Sequence, residues 1–234
     1  MSNRKDTELE QEQAKSRRRI PDVAPLLGFL VLLTVFFTFT SPYFLDPDNF
    51  KNIFVALAVT GIICVPGTML MIAGQVDLSV GSAAAVSGMI LANVVNDYGI
   101  TTGLLAVFAF GLVLGIVNGF FVTVVGVNSL ITTLGTLATL YGIALLIGNG
   151  QTLMMKNFEW LGTAQPAGIP LPIFIFFFIA IIGIITLRRT RFGRSLYAIG
   201  SNPNAARVVG IRSNRILFAS FILSGLSSAL AGAI

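Results

Sequence analysis

The chain contains no histidine and a single cysteine, Cys64, which lies in an apolar run. A disulfide framework and a Cys/His metal site are therefore both excluded. No G-x-x-x-x-G-K-S/T stretch occurs, so ATP is not bound here through a P-loop. Without histidine there is no Ser/His/Asp set either, and no catalytic residue, cofactor or metal is expected. Charge is scarce: Asp, Glu, Lys and Arg make up 11% of the 234 residues, against 55% hydrophobic. A soluble domain of this length cannot hide so much apolar surface, so lipid must be part of its solvent.

The few charges are placed unevenly. Of fifteen Lys and Arg, six lie in the first nineteen residues and seven lie between Arg188 and Arg215. Only Lys51 and Lys156 fall elsewhere, and residues 188–215 contain no acid. The isoelectric point near 9.8 therefore reports the positive-inside pattern of a multispanning membrane protein, and nucleic acid is not an expected partner. Both basic segments are expected to face the cytoplasm. Four acids interrupt the N-terminal basic residues, and no cleavage-like site follows the first apolar run, so the start is not read as a secretory signal.

Hydropathy divides the chain as follows. Residues 1–22 read as a cytoplasmic tail, and 23–234 as a transmembrane region. Spans are expected at Ala24–Thr40, Ile53–Ala73, Gly103–Val125, Ser129–Ile147 and Leu171–Leu187, with another opening at Ile216. Ser41–Asn52 and Asn96–Thr102 read as turns, and Gly148–Pro170 as a longer loop with Phe158 and Trp160 as interface anchors. Ala83–Val95, at thirteen residues, is short for a span. It is either a crossing or half of a broken helix whose other boundary is the polar stretch Gly74–Ser82. Counting it gives six crossings between the two basic segments, which returns the chain to the same side. The sequence stops at Ile234 inside an apolar run, which is read as truncation.

The loop 188–215 carries local helix signals. Asn202 is placed to cap, Pro203 suits the first helical position, and Gly210 suits a stop. A helix over Asn204–Val209 is too short to be stable alone in water. Its apolar residues Ala205, Ala206, Val208 and Val209, with Ile211 beyond, need a surface. That surface is either a protein partner or the protein's own spans and anionic lipid. Ser213 and Asn214 offer a cap for the next span.

Asp77 is the sole acid between Asp48 and Asp97. At the bilayer centre it costs about 2.5–3.5 kcal/mol on insertion scales. Three roles remain open: capping the following helix with Ser79 and Ser82, lining a solute path, or bracing inside the membrane. Asn118, Asn128, Thr132, Thr133 and Thr136 supply further amides and hydroxyls near or within spans. With Asp77 and Ser79, residues Asn118, Asn128, Thr132 and Thr133 are the candidates for a translocation path, since such groups exchange hydrogen bonds with a neutral polyol. Gly111, Gly115 and Gly119 form a smooth stripe, matched by Ser224, Gly225, Ser228, Ala229 and Gly232. Packing within the chain and a dimer or pore contact both remain open for that stripe.

Three ordered segments carry a resemblance. TRFGRSLYAIGSNPNAARVVGI resembles the coupling loop of bacterial ABC importer permeases of the ribose type. Gly74–Ser82, GQVDLSVGS, is similar to that family's G-G-I-D-L-S-V-G-S, departing at Gln75 and Val76. NSLITTLGTLATLYGIAL resembles a third family segment, departing at Asn128-Ser129. The A-I-G-x-N form at Ala198–Asn202 resembles the sugar branch more than the branched-chain amino-acid branch.

The resemblance implies an all-α, polytopic transmembrane helical bundle with a cytoplasmic N-terminus and a cytoplasmic coupling loop, in a bacterial inner membrane. It implies a permease subunit, not an enzyme, translocating a monosaccharide such as ribose. The implied partners are a cytoplasmic ABC ATPase, an external sugar-binding protein and a second permease copy. Arg191, Gly193, Arg194, Gly200, Asn202, Pro203, Ala205, Ala206 and Gly210 would carry the ATPase coupling. Ala206→Asp is expected to abolish ATPase association while leaving insertion intact. The rival readings are a permease for nucleosides or branched-chain amino acids, an ion-coupled secondary transporter, and a membrane scaffold.

Overall fold

The computed structural model describes residues 23–151, 153 and 160–234. The tail 1–22, Lys156 and the anchor expected at Phe158 lie outside the described residues. The chain divides into two compact units at Phe50/Lys51.

In the first unit, α1 (Ala24–Thr40) is a 17-residue apolar helix. Thr34, Thr38 and Thr40 return their hydroxyl protons to the carbonyls four residues back, which removes their polarity from the helix surface. Phe37 stacks on Phe44 at 5.7 Å, and Asn49 donates to the Phe44 carbonyl at 2.8 Å. The expected turn 41–52 is shorter than hydropathy suggests. The next helix, α2 (Pro47–Ile72), begins at Pro47. Asp46 accepts from the Asp48 amide at 2.9 Å, and Pro47 at the start loses no hydrogen bond.

The second unit continues through α3 (Val80–Tyr98), α4 (Ile100–Phe120), a π-helical turn (Phe121–Val125) and α5 (Ser129–Gly148). The short α6 (Trp160–Thr163) and α7 (Leu171–Arg189) follow, then α8 (Arg191–Ser201), α9 (Pro203–Val208) and α10 (Ser213–Gly232). Among the described residues five helices are long and apolar enough to cross a membrane: α2, α4 with its π turn, α5, α7 and α10. Trp160 is exposed.

Two boundaries differ from the hydropathy reading. The expected turn 96–102 collapses to one residue, Gly99, whose φ of +82° reverses the chain at no Cβ cost. Consequently α3 is a 19-residue helix rather than a thirteen-residue segment. Its polar positions are tolerated because α4, α5 and α10 all pack on it, burying Ala83, Val86, Ser87, Leu91, Ala92 and Val95.

The core sits where α10 presses into α3 and α4. A methyl built on Gly111 lies 2.7 Å from the Gly225 carbonyl, and one on Gly115 lies 2.5 Å from Ile222 Cα. Gly232 abuts the Ala84 carbonyl in the same way. The two small-residue stripes therefore meet each other within the chain. Phe221, fully buried, fills the interface beside them.

Candidate functional site

The basic segment folds as a helical hairpin, α8–α9, fastened to the ends of three long helices. Thr190 caps α8 by accepting from the Gly193 amide at 3.2 Å. Gly193 lies against the Thr186 carbonyl and Leu187 of α7, and Gly200 lies against the Ile72 carbonyl at the end of α2. Neither position has room for a Cβ. Leu196 and Ile199 point inward with Met69, Ala73 and Ala206, while Arg191, Arg194 and Tyr197 are exposed.

The second arm follows its local signals. Asn202 Oδ1 accepts from the amides of Asn204 and Ala205, both at 3.0 Å, and Pro203 opens α9. Gly210 closes it at φ +82°, and Ile211 donates back to the Ala206 carbonyl at 3.0 Å. The arm presents Val208 and Val209 to the outside, 88% and 74% exposed, beside exposed Arg207, Arg212 and Arg215. Ala206 is the reverse: it is 2% exposed and belongs to the hairpin's own core. A charge there would be buried in that core, so Ala206→Asp perturbs the hairpin itself and does not isolate docking. The chemistry offered outward is an apolar pair on a helix of about 9 Å, ringed by guanidinium groups.

The expected cap of α10 is also different. Ser213 is buried without a hydrogen-bond partner for its hydroxyl. Asn214 instead reaches across to donate to the Thr123 carbonyl at 2.7 Å. Thr123 lies in the π turn, where one extra residue per turn displaces the regular ladder.

A second polar cluster lies on the hairpin's side of the bundle, where α2 ends and α3 begins. The chain leaves α2 through Gly74 at φ +75°. Asp77 Oδ1 accepts from the Ser79 amide at 3.0 Å and the Ser79 hydroxyl at 2.6 Å. Asp77 Oδ2 accepts from the Ser224 hydroxyl of α10 at 2.7 Å. Ser79 Oγ accepts in turn from Asn118 Nδ2 of α4 at 3.0 Å, and Asn118 Oδ1 accepts from the Thr136 hydroxyl of α5 at 2.7 Å. Ser79 and Asn118 are essentially fully buried. Of the three roles open for Asp77, this geometry combines a turn bond before α3 with bracing across the bundle.

The remaining path candidates are dispersed. Asn128 is exposed and caps α5 through the Leu130 amide at 2.8 Å. Thr133 is fully buried and donates to the Ser129 carbonyl. Thr132 has a buried hydroxyl oxygen with no partner and borders a groove of about 600 Å³ between α4 and α5. The groove wall is apolar, including Phe110 and Phe121, except for Thr132, Thr136 and Thr139. Ser224, and Ser129, whose Oγ accepts from the Val76 amide at 3.3 Å, are members of the cluster that residue type alone does not single out. A serine in a small-residue stripe looks the same whether it packs or bonds.

Residues 49–234 match the family model described as branched-chain amino acid transport system / permease component. The chain is 33% identical over 216 residues to the ribose import permease protein RbsC of Escherichia coli, covering 89% of this chain and 67% of the relative. It is 35% identical over 213 residues to the L-arabinose transport system permease protein AraH of the same organism, covering 88% and 65%. To the D-allose transport system permease protein AlsC, also of Escherichia coli, it is 33% identical over 209 residues, covering 87% and 64%. The chain thus spans about two thirds of the length of these relatives. No solved structure matches it. With its spanning helices and a family match across most of its length, the chain belongs to the family of branched-chain amino acid transport system permease components.

Proposed function

We propose that this protein is the multi-pass permease subunit of an ATP-driven importer of a monosaccharide, set in a bacterial inner membrane. The observation that carries the reading is the α8–α9 hairpin. A glycine-seated pair of short helices presents Val208 and Val209 on its outer side, an apolar pair shaped to enter a cleft of a partner. Its partner is a cytoplasmic ATPase subunit, which puts the hairpin and the tail 1–22 in the cytoplasm. Residues 188–215 are the coupling loop of a permease domain covering 23–234. Gly193 and Gly200 act as its internal seats, Asn202, Pro203 and Gly210 as its ends, and Arg191, Arg194 and Ala205 as part of its outward face. A second permease copy and an external sugar-binding protein complete the assembly.

Sugar is favoured over amino acid because the relatives named above are permeases for ribose, arabinose and allose. Within the permease, Thr132 is the path candidate that borders an open groove, whereas Asp77, Ser79 and Asn118 bond across the bundle and Thr133 bonds back to its own helix. An ion-coupled carrier is disfavoured because both carboxylate oxygens of Asp77 are engaged by serines. The test is uptake by cells carrying the complete transport system, using labelled ribose, arabinose and allose. Uptake of one of them that stops on ATP depletion and survives an uncoupler supports the reading. Uptake that stops with the uncoupler alone contradicts it.

A further inference from the structure

We propose that Ser79, Asn118 and Thr136 form a positioning relay that ties the α8–α9 hairpin to α5 and thereby sets the α4–α5 groove. The proposal rests on the reading of the hairpin as the ATPase site. It adds how movement there reaches the membrane interior.

The contacts are continuous. Gly200 seats α8 on the Ile72 carbonyl with no space for a methyl, so the end of α2 follows the hairpin. Seven residues later comes Ser79, and the segment between is not slack. The Gln75 amide returns to the Leu70 carbonyl at 2.9 Å, and the Val76 amide donates to Ser129 Oγ at the start of α5. Asp77 then holds the segment to α10 through Ser224.

From Ser79 the donors all run one way. Thr136 donates to Asn118 at 2.7 Å, the shorter of its two acceptors, the other being the Thr132 carbonyl at 3.0 Å; Asn118 donates to Ser79, and Ser79 to the carboxylate of Asp77. Hydrogen bonds in such a series polarise one another, and a charged terminal acceptor strengthens the series. The relay crosses between α4 and α5 beside the groove, where it adds a polar tie to the apolar cluster that Leu114 shares with Leu140 and Ala144. By contrast, α4 and α10 are locked by backbone contact at Gly111, Gly115 and Gly225. The bundle therefore contains a pair locked through backbone, α4 and α10, and a helix, α5, held by apolar side chains and the Val76–Ser129 bond, whose register against α4 the Asn118–Thr136 bond selects. Apolar groups of similar volume would fill the same space without a carboxylate's desolvation cost. What they would not do is fix one register.

The test uses two variants at opposite ends of the relay. Thr136→Val removes the hydroxyl at constant shape, and Thr136→Ser keeps it. Ser224→Ala removes only the bond to Asp77 and lies away from the groove. In the full transporter reconstituted in liposomes, Thr136→Val and Ser224→Ala should each lower sugar uptake per ATP hydrolysed by at least about fivefold. Hydrolysis itself and ATPase retention should persist, and Thr136→Ser should restore the ratio. Loss confined to Thr136→Val, or uptake and hydrolysis falling together, overturns the relay.

A second measurement needs no ATPase. Spin labels on exposed Tyr197 and Tyr141, in the permease alone with Cys64→Ser, report the hairpin-to-α5 distance by pulsed electron resonance. Thr136→Val should broaden the distribution, and Thr136→Ser should not. An unchanged distribution in Thr136→Val overturns the proposal even where transport fails. Absence of any ATP-driven uptake in the unmodified transporter sinks the importer reading instead, leaving the distance measurement to decide the relay.

Discussion

Gly115→Ala places one methyl in a tightly closed part of the bundle. The new carbon would sit 2.5 Å from Ile222 Cα and 2.7 Å from the Phe221 carbonyl oxygen. Ordinary contacts between such atoms are about 3.5–4.0 Å, so α4 and α10 must part by roughly 1 Å. A gap of that size forfeits about a quarter to a half of the dispersion energy along the lining. Both obstacles are backbone, which cannot rotate aside, so the overpacking cost lies near the upper end of about 1–3 kcal/mol. Against it stands the helix preference of Ala over Gly, about 1 kcal/mol. The net loss is about 2 kcal/mol, or about 4–8 °C in Tm for a chain of this size. Gly142→Ala is the matched control, since its methyl meets nothing within 4 Å, and it should leave Tm unchanged or raise it. Thermal unfolding of the purified permease in mild detergent, followed by circular dichroism, measures both. A Tm for Gly115→Ala equal to that of Gly142→Ala would refute the backbone-contact account of this interface.

Three further outcomes follow from the hairpin. Asn202→Ala removes the acceptor for two amides and should cost about 1 kcal/mol, read as roughly fivefold faster hydrogen exchange over residues 203–208. Ala206→Asp should lower the yield and Tm of the permease even when it is expressed without partners, because its methyl lies in the core with Leu196 and Ile199. Val208→Asp, at an 88% exposed position, should leave that Tm within about 1 °C of the parent, as surface changes do, while the ATPase subunit no longer co-purifies.

How far these features were legible in the sequence depends on their range. Asn202, Pro203 and Gly210 act on amides within three residues, so their chemistry is written locally, and the hairpin's second arm forms where it is expected. The helical spans follow from hydropathy, and the glycine stripe follows from its spacing. Boundaries fared worse where backbone geometry overrode polarity. Gly99 alone reverses the chain, and Asp46-Pro47 starts α2 inside a stretch that composition marks as a turn. The inward face of α9 was not legible, since on a six-residue helix the buried side is chosen by what lies beneath it. Long-range pairings were least accessible. Asp77 and Ser224 are 147 residues apart, and Asn214 leaves the cap of α10 to bond Thr123, 91 residues away. No local pattern encodes either partner.

The central claim is that Val208 and Val209 are the surface an ATPase subunit occupies. A photo-reactive residue at position 208, activated in intact membranes and followed by mass spectrometry of the adducts, tests it most directly. The account predicts one dominant adduct to a P-loop ATPase, with no such adduct from the outward-facing position 146 on α5. Adducts to lipid alone from position 208 would contradict it.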